Sequence, residues 1–269
     1  MAWPVTIKDS GGFPVSLSNK GVAATIMTTG GLPVTLCEYG TPMAFISTAN
    51  APKNAEALLG EATNGFAVDF TDGSLCIRDS GTPANDYSGL FGSKLTVTGT
   101  LTAGDSGAYF DTSNHATMAL TAMPSIATVC TVWVEYMLPT LTGAIQTLVV
   151  ADDGTTNNRH DVFVSAAGNM QTIMRTAAAN EANFSGVAAT AARIGRMAYA
   201  SQVNNANAAF NGTIRPLDTA CAVPVGLTTL RLGRSSAGEY ADGRIRRVII
   251  LPTRKTDAWL AEKTFLVSG

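Results

Sequence analysis

Gly243-Arg244-Ile245-Arg246-Arg247-Val248-Ile249-Ile250-Leu251, followed by Thr256-Asp257-Ala258-Trp259-Leu260, is the stretch on which the fold turns. Its first half alternates polar and apolar residues, the period of a strand with one wet face. Its second half is wholly apolar, as in a strand covered on both sides. Thr256 is placed to cap a short helix, with Asp257 at the positive end of its dipole and Ala258, Ala261 and Phe265 on one face. Upstream, strand signals recur at 66–70, 94–98, 117–121, 145–150, 162–164, 170–174, 196–203, 208–214 and 227–232. The longest, 128–138, sets Val129, Thr131, Trp133, Glu135 and Met137 on one face and Cys130, Val132, Val134 and Tyr136 on the other. Many short strands, one terminal helix and no strand–helix alternation predict an all-β antiparallel sandwich over residues 65–269.

Composition narrows the function classes. Of the 269 residues 46% are apolar and only 14% charged, well under the roughly 25% of an average soluble protein. With a net charge of −2 and no run of Lys or Arg, the chain lacks the basic face that a nucleic-acid backbone requires, so no nucleic-acid partner is expected. The apolar runs fall far short of the ~20 residues that span a bilayer, so no membrane partner is expected either. Met1-Ala2-Trp3-Pro4-Val5 has neither the basic nor the apolar region of a signal peptide, which predicts synthesis in a cytoplasm. Cys37, Cys76, Cys130 and Cys221 are irregularly spaced without a CxxC pair, and read as reduced, half-buried small residues.

The first fifty residues repeat. Trp3-Pro4-Val5-Thr6-Ile7, Phe13-Pro14-Val15-Ser16-Leu17, Val22-Ala23-Ala24-Thr25-Ile26, Leu32-Pro33-Val34-Thr35-Leu36 and Thr41-Pro42-Met43-Ala44-Phe45 follow one another at alternating steps of ten and nine residues. Gly12, Gly21, Gly31 and Gly40 stand directly before successive copies and mark turns. Proline removes a ladder donor, so each copy reads as a brief edge-like strand. Such strands cannot close a core alone, so residues 1–46 are expected to be an assembly arm, with Trp3, Val5, Ile7, Phe13, Val15, Leu17, Val34 and Leu36 as its contacts. Small polar residues at 47–64 read as a linker to the body at 65–269.

Leu230-Arg231-Leu232-Gly233-Arg234, Tyr240-Ala241-Asp242-Gly243-Arg244-Ile245, Val248-Ile249-Ile250-Leu251-Pro252 and Thr256-Asp257-Ala258-Trp259-Leu260 together resemble the C-terminal signature of laminin-G-like, concanavalin A-like jelly rolls. The Gly-x-Pro-Val-Thr-Leu repeats are similar to those opening capsid-fibre, head-spike and tail-associated proteins of tailed phages and gene transfer agents. Phe66-Ala67-Val68-Asp69-Phe70-Thr71 and Pro83-Ala84-Asn85-Asp86-Tyr87-Ser88-Gly89 resemble segments of the same virion proteins.

Concanavalin A-like folds include polysaccharide hydrolases, which need two or more carboxylates spaced along one strand face. Here Glu135 stands alone, with Thr131 and Met137 in the partner positions, and reads as a buried or cross-strand-paired acid. His115 reads as an exposed loop residue. Neither it nor His160 accompanies a Gly-x-Ser-x-Gly elbow, and no phosphate-binding glycine loop is present. No catalytic residue and no enzyme activity are therefore expected. The most polar loop carries Asp152, Asp153, Asn157, Asn158 and Arg159, hard oxygen and amide groups that suit sugar hydroxyls, with Asp152 and Asp153 also weak calcium candidates; it is equally ordinary hairpin chemistry. Tyr240, in the polar loop 234–240, adds an aromatic able to stack on a sugar ring. No obligatory cofactor is expected.

The resemblance implies a virion structural protein, a capsid fibre, head decoration or spike. It would be attached through its arm to capsid or other virion proteins, trimeric through that arm, and able to touch host-surface polysaccharide. The alternatives are a free carbohydrate-binding lectin module and a tail-associated receptor-binding protein.

Overall fold

The computed structural model of the protein describes residues 36–38, 41–43, 66–71, 77–78, 86–88, 94–102, 104, 106–120 and 129–266. The chain divides into two units, Met1–Ala57 and Leu58–Gly269. In the first, β1 (Leu36–Glu38) pairs antiparallel with β2 (Thr41–Met43), Cys37 opposite Pro42. These strands are the end of the fourth repeat copy and the start of the fifth. Among the arm contacts, Leu36 lies in β1; Trp3, Val5, Ile7, Phe13, Val15, Leu17 and Val34, like the 47–64 linker, lie outside the described residues.

Among the described residues the second unit is a two-sheet antiparallel β-sandwich closed by one short helix. One sheet has nine strands in the order β13 (Ala179–Ala188), β12 (Asn169–Thr176), β11 (Arg159–Val164), β10 (Gln146–Asp152), β17 (Thr229–Leu232), β8 (His115–Ala119), β6 (Lys94–Thr98), β5 (Asp86–Ser88) and β4 (Ile77–Arg78). The other runs β16 (Thr213–Ile214), β15 (Asn205–Phe210), β14 (Ile194–Gln202), β9 (Cys130–Met137), β18 (Gly243–Leu251) and β3 (Phe66–Asp69), with β7 (Ala108–Phe110) paired to the start of β18.

Alternation along the central strands builds the core. Val132, Val134 and Tyr136 of β9, Met197 and Tyr199 of β14, and Val248 and Ile250 of β18 face Leu148, Val162, Val164, Leu230 and Leu232 from the nine-stranded sheet. Gly233 (φ +76°) follows β17, where a Cβ would run into the Phe110 ring and the backbone conformation is one that residues other than glycine rarely adopt.

The opposite face of the seven-stranded sheet is covered by α1 (Asp257–Thr264). Thr256 caps it as expected, its hydroxyl accepting from the Trp259 N–H at 3.2 Å, and Trp133 donates from Nε1 to the Lys263 carbonyl at 2.9 Å. The buried helix residues are Leu260 and Thr264, four apart, and not the Ala258–Ala261–Phe265 face: Ala258 and Phe265 are exposed. Beside the helix, Glu135 is 2% exposed and receives Arg196 Nε at 2.8 Å, Arg246 Nε at 2.9 Å and Arg247 Nη1 at 3.5 Å. A β-bulge between Ile245 and Arg247 places consecutive arginines of β18 on the same carboxylate, and Arg247 continues to Asp69 at 2.9 Å. The paired reading of Glu135 is the observed one.

Three further features depart from the expectations. The 208–214 strand is two, β15 and β16, separated by a turn at Asn211–Gly212 with both φ values positive. β13 and β7 carried no strand signal. His115 is buried and opens β8, where it accepts a bond from an arginine. Cys130 and Cys221 are free and buried, and among the described residues no helix is long and apolar enough to cross a membrane.

Candidate functional site

Two polar loops meet at the outward face of the nine-stranded sheet. The first, residues 153–158, joins β10 to β11. It is shaped by its own side chains: Asp153 Oδ1 accepts from the Thr155 N–H at 2.8 Å and hydroxyl at 2.6 Å, and Oδ2 from Asn158 Nδ2 at 2.8 Å. The turn between β12 and β13 buttresses it, Ala178 N–H donating to the Asn157 carbonyl at 2.9 Å and Ala177 N–H to Asn158 Oδ1 at 3.0 Å. The second loop, residues 234–240, folds around buried Ser235, whose hydroxyl donates to Glu239 Oε2 at 2.9 Å and accepts from the Ala237 and Glu239 N–H groups at 3.2 Å. The loops touch where Ser236 Oγ donates to the Thr155 carbonyl at 2.9 Å.

Tyr240 closes the second loop by bridging back to Arg234. The Arg234 guanidinium lies 5.6 Å from the Tyr240 ring centroid, and the His115 ring meets the same ring edge-on at 5.9 Å. Arg234 Nη1 is 3.0 Å from His115 Nε2. An arginine only donates, so Nε2 accepts and the proton of the neutral imidazole sits on Nδ1. Burial, then the nearby charges of Arg234 and Arg231, lowers the His115 pKa and favours that neutral form. The outcome is a half-buried tyrosine ring in a fixed orientation, on a loop that meets, through Ser236, another whose Thr155, Asn157 and Gly154 are exposed.

Of the six residues expected to contact a glycan, Asp153, Asn157, Asn158 and Tyr240 stand on these touching loops. Asp152 and Arg159 do not reach the surface, which corrects their assignment as surface contacts. Asp152 is buried and held by Arg231 of β17, Nε at 2.6 Å and Nη2 at 3.2 Å. Arg159 is buried against Asp161, Nε to Oδ2 at 2.8 Å. As calcium candidates Asp152 and Asp153 have their carboxylate oxygens engaged by these internal donors. Among the described residues no group of three or more His, Cys, Asp or Glu could hold a metal ion.

Sequence reasoning passed over Arg159's partner Asp161, a buried carboxyl pushed up to about 7 by its burial, which Arg159 offsets only in part. It also passed over two surface cavities. One, of about 480 Å³, lies between β13 and the 215–220 segment, with Asn183, Ser185, Arg215 and Thr219 among its lining. The other, of about 440 Å³, surrounds Tyr109. In β7 the middle residue of Ala108-Tyr109-Phe110 points away from the core that its neighbours enter, an alternation too short to read from the sequence.

The chain is thus a two-sheet antiparallel β-sandwich with a polar loop platform on the outer face of one sheet. No family model matches it, and no curated protein matches it. Solved structures do. The CBM40 module of the Ruminococcus gnavus IT-sialidase, bound to α2,3-sialyllactose, is 17% identical over 53% of this chain and 85% of that one, with a TM-score of 0.45. The NanB sialidase of Streptococcus pneumoniae is 14% identical, with 57% of this chain and 26% of that chain covered and a TM-score of 0.46. Domain 4 of AbnA, an extracellular arabinanase of Geobacillus stearothermophilus in complex with arabinotriose, is 12% identical over 74% of this chain and 87% of that one, TM-score 0.47. The sandwich itself follows from the strand pairings above, independently of these similarities.

Proposed function

We propose that the chain is a lectin-like, glycan-binding β-sandwich, displayed on a phage or phage-like virion by its N-terminal arm. The observation that carries the glycan reading is the Tyr240 ring, oriented by Arg234 and His115 on a loop that touches the polar 153–158 loop through Ser236. A sugar offers an apolar C–H face and a fringe of hydroxyls, and this pairing of ring and polar loop complements both. No catalytic step is invoked: the acid nearest to a hydrolase pattern, Glu135, is buried and committed to three guanidinium groups. The virion reading is supported by the N-terminal repeats and their resemblance to virion proteins. An arm that brings copies together would multiply weak sugar contacts through effective concentration.

The full chain on a glycan array is expected to bind a subset of bacterial surface polysaccharides. Tyr240→Ala should weaken that binding about tenfold, roughly 1.4 kcal/mol. An array with no signal above background removes the lectin reading. In light scattering the full chain should be a trimer, and a chain starting at Asn64 a monomer. A trimer that survives the truncation places the interface outside the arm and overturns the account of the repeats.

A further inference from the structure

The cavity around Tyr109 has a composition the loop platform lacks. It is about 440 Å³, inside the ~300–1,000 Å³ range of small-molecule sites, and is lined by Thr100, Thr102, Ser106, Tyr109, Asn114 and Arg244. Tyr109 keeps 36% of its surface exposed although β7 is paired to β18 and both its neighbours are buried. Its hydroxyl donates to Asp242 and the Arg244 guanidinium lies 5.7 Å from its ring centroid, so the ring is held at a fixed tilt. Arg244 Nη1 donates to the Gly107 carbonyl at 2.9 Å, which leaves its other N–H groups for a ligand. The hydroxyls of Thr100, Thr102 and Ser106 make no hydrogen bond among the described residues. Asn114 is anchored, its Oδ1 accepting from the Thr100 N–H at 2.8 Å and its Nδ2 donating to Asp111 at 3.0 Å.

From this we infer that the cavity binds one neutral pyranose unit of a glycan, with the adjoining unit lying on Tyr240; the inference rests on the glycan reading above and gives it a second subsite. Three uncommitted hydroxyls, each donor and acceptor, match sugar hydroxyls that are also both. The exposed part of the Tyr109 ring receives the apolar face of the sugar. Asp242 and Asp111 both act on Tyr109 against the single charge of Arg244, so the cavity has no excess positive charge to favour an acidic sugar over a neutral one. The two subsites adjoin: Asp242 is two residues past Tyr240, a backbone reach of at most about 7 Å, and Asn114 precedes the His115 on which Tyr240 packs.

Saturation-transfer NMR on the full chain tests this with glucose, galactose, mannose and N-acetylglucosamine as probes, and glucuronic acid as the acidic control. At least one neutral sugar should show transfer that Tyr109→Ala abolishes and Tyr240→Ala leaves intact. Thr102→Val, at an exposed position, should weaken it severalfold without touching the core. Transfer to glucuronic acid alone overturns the neutral-sugar assignment. Transfer that survives both Tyr109→Ala and Thr102→Val overturns the subsite. If the array gives a glycan whose binding depends on Tyr240 while no monosaccharide responds here, the subsite fails and the lectin reading stands; silence in both removes both.

Discussion

Glu135→Ala should cost the fold about 3–5 kcal/mol, the range for removing one member of a buried ion pair. The carboxylate is 2% exposed and faces three guanidinium groups, from Arg196 on β14 and from Arg246 and Arg247 on β18. Burial opposes its charge, but the three arginines outweigh burial and hold its pKa below the ordinary value. Alanine leaves a void beside those guanidinium groups, and Arg247 keeps Asp69 and the Thr71 hydroxyl. For a domain of this size each kcal/mol moves the melting temperature by roughly 2–4 °C, so a fall of about 10 °C is expected in a calorimetric scan. Glu135→Gln, which retains an acceptor oxygen, should fall between wild type and Ala. Melting within a degree or two of wild type in the Ala variant would show that the arginines find other partners and that the bulge in β18 does not serve this carboxylate. A catalytic glutamate would behave differently, since its amide variant would lose polysaccharide cleavage with little loss of stability.

Much of the sandwich was legible because alternation is a local signal. The two faces of β9 are the ones its sequence dictates: Val132, Val134 and Tyr136 enter the core while Glu135 and Trp133 face the other way, toward arginines and helix. β18 and the Thr256 cap fall where their residues put them. What was not legible depended on partners distant in sequence. β13 reads Ala-Asn-Glu-Ala-Asn-Phe-Ser-Gly-Val-Ala, without an apolar run, and is a strand because it pairs with β12 at the sheet edge. The second arginine on Glu135 exists only because of a bulge, which no periodicity announces.

The site divides in the same way. The 153–158 loop was readable as a turn because Asp bonds to its own neighbouring backbone, as Asp153 does to the Thr155 N–H. Asp152 begins that motif and has the same chemistry as Asp153, yet it is buried. Its partner Arg231 lies 79 residues away, on a strand that becomes a neighbour only when β17 inserts between β10 and β8. His115 was misread for the same reason: it follows a turn, and what buries it are Arg234 and Tyr240, 119 or more residues later.

Adjacent residues of β11 should give the protein two opposed acid–base dependences that single substitutions expose. His160 follows Val162 and Val164 toward the core, its ring 5.6 Å from that of Tyr199, and neither ring nitrogen has a hydrogen-bond partner. Burial holds its pKa down to about 3. Asp161 points to the other face, toward Arg159, Glu239, Arg175 and Asp152, with one oxygen unpartnered, and burial pushes it up to about 7. A base whose folded pKa is depressed supplies stability above its unfolded value, near 6.5, that is lost as pH falls toward 3. An acid whose folded pKa is raised supplies stability below its unfolded value, near 3.8, that is lost as pH rises through 7. Between about pH 4.5 and 6.5 the two slopes, each near 1.4 kcal/mol per pH unit, cancel, and the wild type should be nearly flat there. Asp161→Asn leaves the histidine term alone, so this variant should weaken steadily on acidification through that window. His160→Leu removes two unpartnered buried nitrogens and should be at least as stable as wild type at pH 7, but it should weaken as pH rises from 4.5 to 7. Urea midpoints at pH 4.5, 5.5, 6.5 and 7.5 decide it, provided the m-values agree. Opposite slopes in the two variants follow from the opposite faces of one strand; slopes parallel to wild type in both would mean that neither group titrates as its burial requires.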